Sequence, residues 1–254
     1  MRFQILNDFE IQDAENLFRE IERSADHTER KEKKQEIQHF SKTLQTSCFL
    51  GAYKSDLIGF LAYTPDCFAL QYIGVRKEES GKGVATALLK ELVKIAEQAG
   101  AWRLTVCAKR QVLPLFRSFG FEAEGEKFEK DGSLFVPMEY MLGQHWLGQT
   151  VHVSIELPLG SYHPLYPDVQ VTCNKGIVIE SLKNEMITEA YVVDLDEATE
   201  EVEGKVIGIV YHHDALPGRL LVAEGTHFSH ASIIDRIAFE EQYTEMRILW
   251  DTDH

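Results

Sequence analysis

Ser80-Gly81-Lys82-Gly83-Val84-Ala85 stands where an apolar run, residues 68–75, gives way to a stretch patterned as a helix. In that stretch the apolar positions Ala87, Leu88, Leu89, Leu92, Val93, Ile95 and Ala96 follow helical spacing, so the glycines belong to a strand-to-helix turn. Two positions without a Cβ let backbone approach a ligand, and the first helical turn presents unpartnered N–H groups with partial positive charge. A diphosphate suits such a turn, and Lys82 adds a charge-assisted contact.

The residues of the turn by themselves leave its use open. A Walker A loop requires Ser or Thr after the Lys and a wider glycine spacing, and neither is present. A dinucleotide fingerprint requires Gly or Ala where Thr86 stands. It also requires an acid about twenty positions later, where the chain reads Arg103-Leu104-Thr105-Val106. A plain βα turn, in which glycine only relieves strain, also satisfies the pattern.

Residues further along the chain add a second signal. A strand is expected over residues 102–108, then a short helical stretch ending in Phe116-Arg117-Ser118-Phe119-Gly120-Phe121. The pair of motifs resembles the GCN5-related N-acetyltransferases, whose chains read Arg/Gln-x-x-Gly-x-Gly/Ala and, later, aromatic-x-x-x-Gly-Phe. Ser80 takes the Arg/Gln place, Gly83 the central glycine and Ala85 the Gly/Ala place, and the resemblance spans residues 1–142. It implies an α+β chain whose first part is a mixed central sheet flanked by helices. It also implies acetyl-coenzyme A as cosubstrate, with a small-molecule amine or a protein amino group as acceptor.

The resemblance places the cofactor on Ser80, Gly81, Lys82, Gly83, Val84 and Ala85, with backbone of Ile73 and Val75 along the pantetheine arm and Lys109 and Phe116 nearby. Many members carry a Tyr at the Phe116 position as proton donor to the leaving thiolate; Phe cannot donate, although a thiolate can leave unprotonated. Lys109 stands where Asn is frequent, and Ser80 is a further departure. The amine must lose a proton before attack. The strand residues offer no carboxylate for this, so Asp66, Gln71 and Tyr72 are the candidates for a base or for orienting a water. By the same resemblance, His39, Phe40 and Phe49 face the acceptor pocket or pack in the core.

The 254 residues carry a formal charge of −15, divided unevenly. Residues 1–150 hold 20 Lys and Arg against 22 Asp and Glu, and residues 151–254 hold 6 against 19, giving −2 and −13. The expected organisation is a domain over 1–142, a linker over 143–149 and an acidic domain over 150–254. Such acidity argues against nucleic acid as a partner. No apolar run is long enough for a bilayer and no signal-peptide core follows Met1, so no membrane partner and a cytosolic protein are expected. A homodimer is possible. Cys48, Cys67, Cys107 and Cys173 are dispersed and read as buried free thiols.

Within the first domain the expected order is β-α-α-β-β-β-α-β-α-β. It includes a second helix over 28–44, a hairpin turning at Lys54-Ser55-Asp56 and a later hairpin turning at Asp131-Gly132. From Thr150 the pattern becomes β-rich. Strands are expected at 151–157, 169–173, 177–179, 190–193, 206–212 and 220–223, with a terminal helix over 229–243. Short strands with turns between them suggest a small β-barrel.

This half resembles the small bacterial relatives of inorganic pyrophosphatase. The residues that carry the likeness are Ile155-Glu156-Leu157-Pro158-Leu159-Gly160-Ser161-Tyr162-His163-Pro164, Glu189-Ala190-Tyr191-Val192-Val193 and the run from Gly204 to Val210. Pyrophosphate hydrolysis needs divalent cations such as Mg²⁺ on clustered carboxylates. The family's Asp-x-Asp-x-x-Asp is here Asn184-Glu185-Met186-Ile187-Thr188-Glu189, which keeps one acid of three. Glu156, Glu189 and Asp214 are the vestigial metal candidates, and the acidic runs 194–197 and 200–203 read as exposed loop. The expectation is a non-catalytic binding or structural domain.

Overall fold

The computed structural model describes residues 1–24, 37–38, 40–130, 132–184, 187–212, 217–225 and 229–251. Most of the expected second helix, with His39, lies outside them, as do Asp131, Asp214 and the middle of the 184–189 cluster. Two compact units divide the chain, Met1–Leu142 and Gly143–His254. No helix is long and apolar enough to cross a membrane among the described residues.

The first unit opens with β1 (Arg2–Ile5) and α1 (Asp8–Ser24). Asn7 starts the helix: its Oδ1 accepts from the N–H groups of Phe9 and Glu10 at 3.0 and 3.1 Å, and Glu10 Oε2 accepts from Asn7 N–H at 3.1 Å. That reciprocal cap satisfies donors the helix cannot pair itself. The hairpin of β2 (Cys48–Tyr53) and β3 (Leu57–Thr64) comes next, then β4 (Ala69–Val75), a 3₁₀ turn at Lys77–Glu79 and α2 (Val84–Gln98). β5 (Arg103–Lys109), α3 (Leu113–Phe119), β6 (Glu122–Ala123), β7 (Phe128–Lys130) and β8 (Ser133–Met141) complete it. The sheet runs β1-β2-β3-β4-β5-β8-β6, with β7 paired to β8. β4 and β5 are parallel and the other pairs antiparallel, which makes the sheet mixed.

Val84, Leu88, Leu92 and Ala96 recur every fourth residue on α2 and are all buried against one side of the sheet with Leu89. On the other side α1 buries Ala14, Leu17 and Phe18 with Phe40, Phe49 and Phe60. Phe40 stacks on Phe18 with ring centroids 4.0 Å apart, and Phe49 is wholly buried, so both are core residues. Of the four cysteines only Cys173 is buried; Cys67 and Cys107 are exposed and Cys48 is half-buried, all as free thiols.

In the second unit β9 (Thr150–Leu157), β10 (Asn174–Val178), β11 (Glu189–Val192), β12 (Glu201–His212) and β13 (Arg219–Ala223) close a five-stranded barrel in the order β9-β10-β11-β13-β12. Closure depends on β12, which pairs with β9 through Glu201–Lys205, with β13 through Lys205–Val210 and with β14 (Met246–Trp250) through Gly208–His212. α4 (His230–Glu241) packs Ile233, Ile237 and Phe239 into the barrel core. Ser229 caps it in a reciprocal pair with Ser232.

Four expectations change here. Residues 200–203 are not a loop: Glu201, Val202 and Glu203 begin β12, with Val202 buried. Residues 169–173 form no strand, because the segment folds back on 160–163. There Gly160 N–H donates to Val171 O and Val171 N–H to Ser161 O, both at 2.9 Å, leaving one isolated bridge between Tyr162 and Gln170. β14 adds a strand the apolar pattern did not mark. The stretch 143–149 carries a 3₁₀ turn at Gln144–Trp146, and its end joins the barrel through Gly148 N–H to Val206 O at 2.9 Å and Val206 N–H to Gln149 O at 2.8 Å.

Candidate functional site

The parallel pair at the centre of the first sheet is joined only at its start: Ala69 lies opposite Thr105 and Leu70 opposite Val106, and pairing stops there. A bulge causes the parting. Along β3 the register is Ala62 to Tyr72 and then Tyr63 to Leu70, so Gln71 is an extra residue with no counterpart. An extra residue bends its strand and raises the local twist, and from Gln71 to Val75 β4 leaves β5 behind. Backbone groups on that edge of β4 thus face an opening rather than a neighbour.

The opening leads to the turn after β4. Gly81 and Gly83 have φ of +74° and +79°, the left-handed region that glycine adopts without penalty. A Cβ built on either meets nothing within 4 Å, so a side chain there would fill open space in front of the turn. α2 makes its first i→i−4 bond from Ala87 N–H to Gly83 O at 3.0 Å, which leaves the N–H groups of Gly83, Val84, Ala85 and Thr86 ahead of the ladder. Ser80 N–H and Lys82 N–H are spent on Lys77 O and Glu79 O. Lys82 Nζ stands 3.6 Å from Glu79, which Lys54 also holds at 2.7 Å. The hydrogen bond from Lys54 keeps the Glu79 carboxyl below its usual range, ahead of the opposing effect of burial. These residues fit a diphosphate: exposed glycine backbone, helix N–H groups and a cation at one turn.

The remaining positions divide in two. Ile73 and Val75 are half-buried on the half of β4 that is paired with β3 but not with β5, and Lys109 ends β5 with its ammonium 5.9 Å from the Phe135 ring. Phe116 is 2% exposed on α3, its ring edge-on to Phe121 at 5.1 Å. Asp66 is exposed in the turn before β4, at the opposite end of the strand from the glycines. Gln71, the bulge residue, is exposed and donates to Thr64 Oγ1 at 3.2 Å. Tyr72 is half-buried, and burial, followed by the charge of Glu22, pushes its phenol well above the usual value.

In the second unit the structure describes two of the three residues named for metal. Glu156 is exposed on β9 and Asp214 lies outside the described residues. Glu189 is held by two cations, Arg219 Nε at 2.7 Å and Lys175 Nζ at 3.1 Å. Among the described residues no group of three or more His, Cys, Asp or Glu is placed to hold a metal. Glu189 does not fit Mg²⁺, since two cations already occupy its carboxylate.

Those cations belong to a larger network. Lys175 Nζ also reaches Glu240 at 2.9 Å, and Arg219 reaches Glu240 through Nη2 at 3.0 Å and Glu241 through Nη1 at 2.6 Å. Tyr191 donates to Glu240 and Glu241 at 2.9 and 2.7 Å, and His212 Nε2 meets Glu241 at 2.7 Å. Burial pushes the Glu241 carboxyl up, but hydrogen bonds from His212 and Tyr191 and the Arg219 charge together hold it at about 2. One signal for this cluster was present in the sequence. Glu240 and Glu241 close a helix, the end where its dipole disfavours anions, so they required cations from elsewhere.

The opened parallel pair, the glycine turn and the helix N-terminus thus lie together at the centre of an α/β domain with a mixed sheet. The sequence pattern of the acetyltransferase (GNAT) domain matches residues 14–142, just over half of the chain, and the protein belongs to that family. Similar solved structures include a GCN5-related N-acetyltransferase from Rhodopseudomonas palustris. It is 19% identical with a TM-score of 0.48, over 56% of this chain and 95% of that one. The PaiA N-acetyltransferase of Thermoplasma acidophilum, in complex with coenzyme A, is 22% identical with a TM-score of 0.42, over 56% and 99%. Tetrahymena GCN5 is 17% identical with a TM-score of 0.44, over 56% and 96%. No curated protein matches the chain.

Proposed function

We propose that residues 1–142 move the acetyl group of acetyl-coenzyme A to a primary amine, on a small molecule or a protein. The observation that carries the reading is the seam: β4 parts from β5 at the Gln71 bulge and runs straight into the turn at Gly81 and Gly83. Bound acetyl-coenzyme A supplies an activated thioester. N–H groups of Gly81, Gly83, Val84 and Ala85 would take its diphosphate, with Ser80 and Lys82 beside them. The β5-side edge of β4 at Ile73 and Val75, which has no strand partner, would hold the pantetheine arm, with Lys109 and Phe116 bordering the far side. Phe116 has no hydroxyl and is buried, so the thiolate leaves without a proton from that side chain. Calorimetric titration of the full chain with acetyl-coenzyme A, joined to thiol release over a panel of amines, tests this. Binding with turnover supports transfer, and absence of binding overturns it. Binding without turnover would favour a coenzyme A sensor.

For residues 150–254 we propose a pyrophosphatase-like domain that has no hydrolytic role. The support is electrostatic: Lys175 and Arg219 neutralise the carboxylates that would otherwise draw metal. Phosphate release from pyrophosphate with excess Mg²⁺ should stay below about 1 per second, the low end of ordinary enzymes; faster release would overturn this assignment.

A further inference from the structure

Along α1, Ala14 and Phe18 form one i, i+4 row, and both are buried in the core beneath the sheet. The next residue on that row is Glu22, an acid where the apolar stripe continues. The row lies over the part of β4 that has left β5. Phe18 meets the Tyr72 ring edge-on at 5.6 Å, and a Cβ on Gly74 would come within 2.9 Å of Ile21 Cδ1. Glycine at 74 therefore lets this end of the helix sit close against the strand. Tyr72 is gripped from a second side by Phe40, edge-on at 5.0 Å, which fixes the direction of its hydroxyl. Glu22 is half-buried and acts electrostatically on that hydroxyl. The carboxylate and the phenol thus share the α1 side of the opened strand, whereas α2, which begins at the glycine turn, packs on the other side.

We propose that Glu22 receives the acceptor amine: it binds the ammonium form and takes its proton, with Tyr72 as the neighbouring wall. This rests on the reading of residues 1–142 as a transferase. An alkylammonium must become neutral before attack. A carboxylate within the half-buried helix–strand seam both attracts the cation and accepts the proton. The nitrogen lone pair then forms the C–N bond to the acetyl carbon, the C–S bond breaks, and the thiolate departs with that electron pair; the surplus proton left on the acylated nitrogen passes to the thiolate, giving the neutral amide and the coenzyme A thiol. The chemistry favours a cationic primary alkylamine as acceptor. Of the residues near β4 considered for the base, Asp66 lies at the strand's far end and Gln71 cannot take a proton.

The test compares the full-length protein with Glu22→Gln and Glu22→Asp on two acceptor types. Primary alkylamines carry a proton to lose, whereas methoxyamine is already neutral at pH 7. Glu22→Gln should lower kcat/KM for alkylamines at least 100-fold and leave methoxyamine within threefold. Glu22→Asp should restore part of the alkylamine rate, and calorimetry should show unchanged acetyl-coenzyme A affinity in both variants. Equal loss on both acceptors, or no loss on either, overturns the assignment. So does a wild-type protein that binds acetyl-coenzyme A but acetylates no primary alkylamine. If the wild type binds no acetyl-coenzyme A, the transferase reading itself fails, and that result is separate from the first three.

Discussion

Arg219 Nη1 and Glu241 Oε1 stand 2.6 Å apart, with the carboxylate side chain 1% exposed. This contact ties a barrel strand to the last turn of a helix, where the helix dipole alone would repel the acid. Removal of one partner leaves a buried charge uncompensated, which costs about 3–5 kcal/mol. Arg219→Met should therefore destabilise the second unit by that order. Glu189→Gln, at a side chain 38% exposed, should cost about 1 kcal/mol or less. Amide exchange in β11 and β13 reads both, and equal costs would count against the network as the tie.

Acid should loosen the same unit in a defined window. The Glu241 carboxyl is near 2 in the folded chain against an ordinary 4.5, a lowered value. Its contribution is complete above pH 4.5 and is lost as pH falls from there toward 2. Glu189 is lowered as well and acts in the same direction. Urea midpoints measured from about pH 6 to about pH 2.5 should fall through this range, and Glu241→Gln should flatten the fall.

Gly83→Val places a branched side chain in the open space before the turn, at a φ of +79° that valine resists. Acetyl-coenzyme A binding should weaken at least tenfold, or about 1.4 kcal/mol. Calorimetry on protein shown to be folded by circular dichroism decides it. Unchanged affinity would place the diphosphate elsewhere.

Phe116→Tyr would bring a hydroxyl into a core where Phe116 packs against Phe121. An unsatisfied buried hydroxyl costs about 1–3 kcal/mol. Thermal unfolding should shift down while turnover stays within threefold. A rate gain above tenfold would show that the hydroxyl reaches the seam and that protonation of the thiolate limits the present reaction.

The turn at 80–85 and α2 were readable because both obey local rules: glycine takes positive φ, and an apolar stripe every fourth residue needs a sheet to cover it. The seam was not readable. Gln71 is a bulge only through the register that β3 imposes, and nothing in 69–75 alone reveals it. Val169, Val171 and Cys173 alternate like a strand, yet they are satisfied by folding back on the 160–163 loop. The charge network escaped for a related reason. Lys175, Glu189, Arg219 and Glu240 come from three strands and a helix, so only the closed barrel brings them together.

Because β12 serves three partners in turn, the barrel has a timetable. Residues 150–157 emerge during synthesis long before the strand that completes their pairing at 201–205, and two of the three acids that meet Lys175 or Arg219, Glu240 and Glu241, come later still. Pairings so far apart in sequence form slowly, whereas domains fold as units from the N-terminus while the chain grows. On the ribosome the first unit can acquire its sheet while the second remains an open, strongly acidic chain. Its excess negative charge then discourages association between nascent neighbours until α4 is delivered.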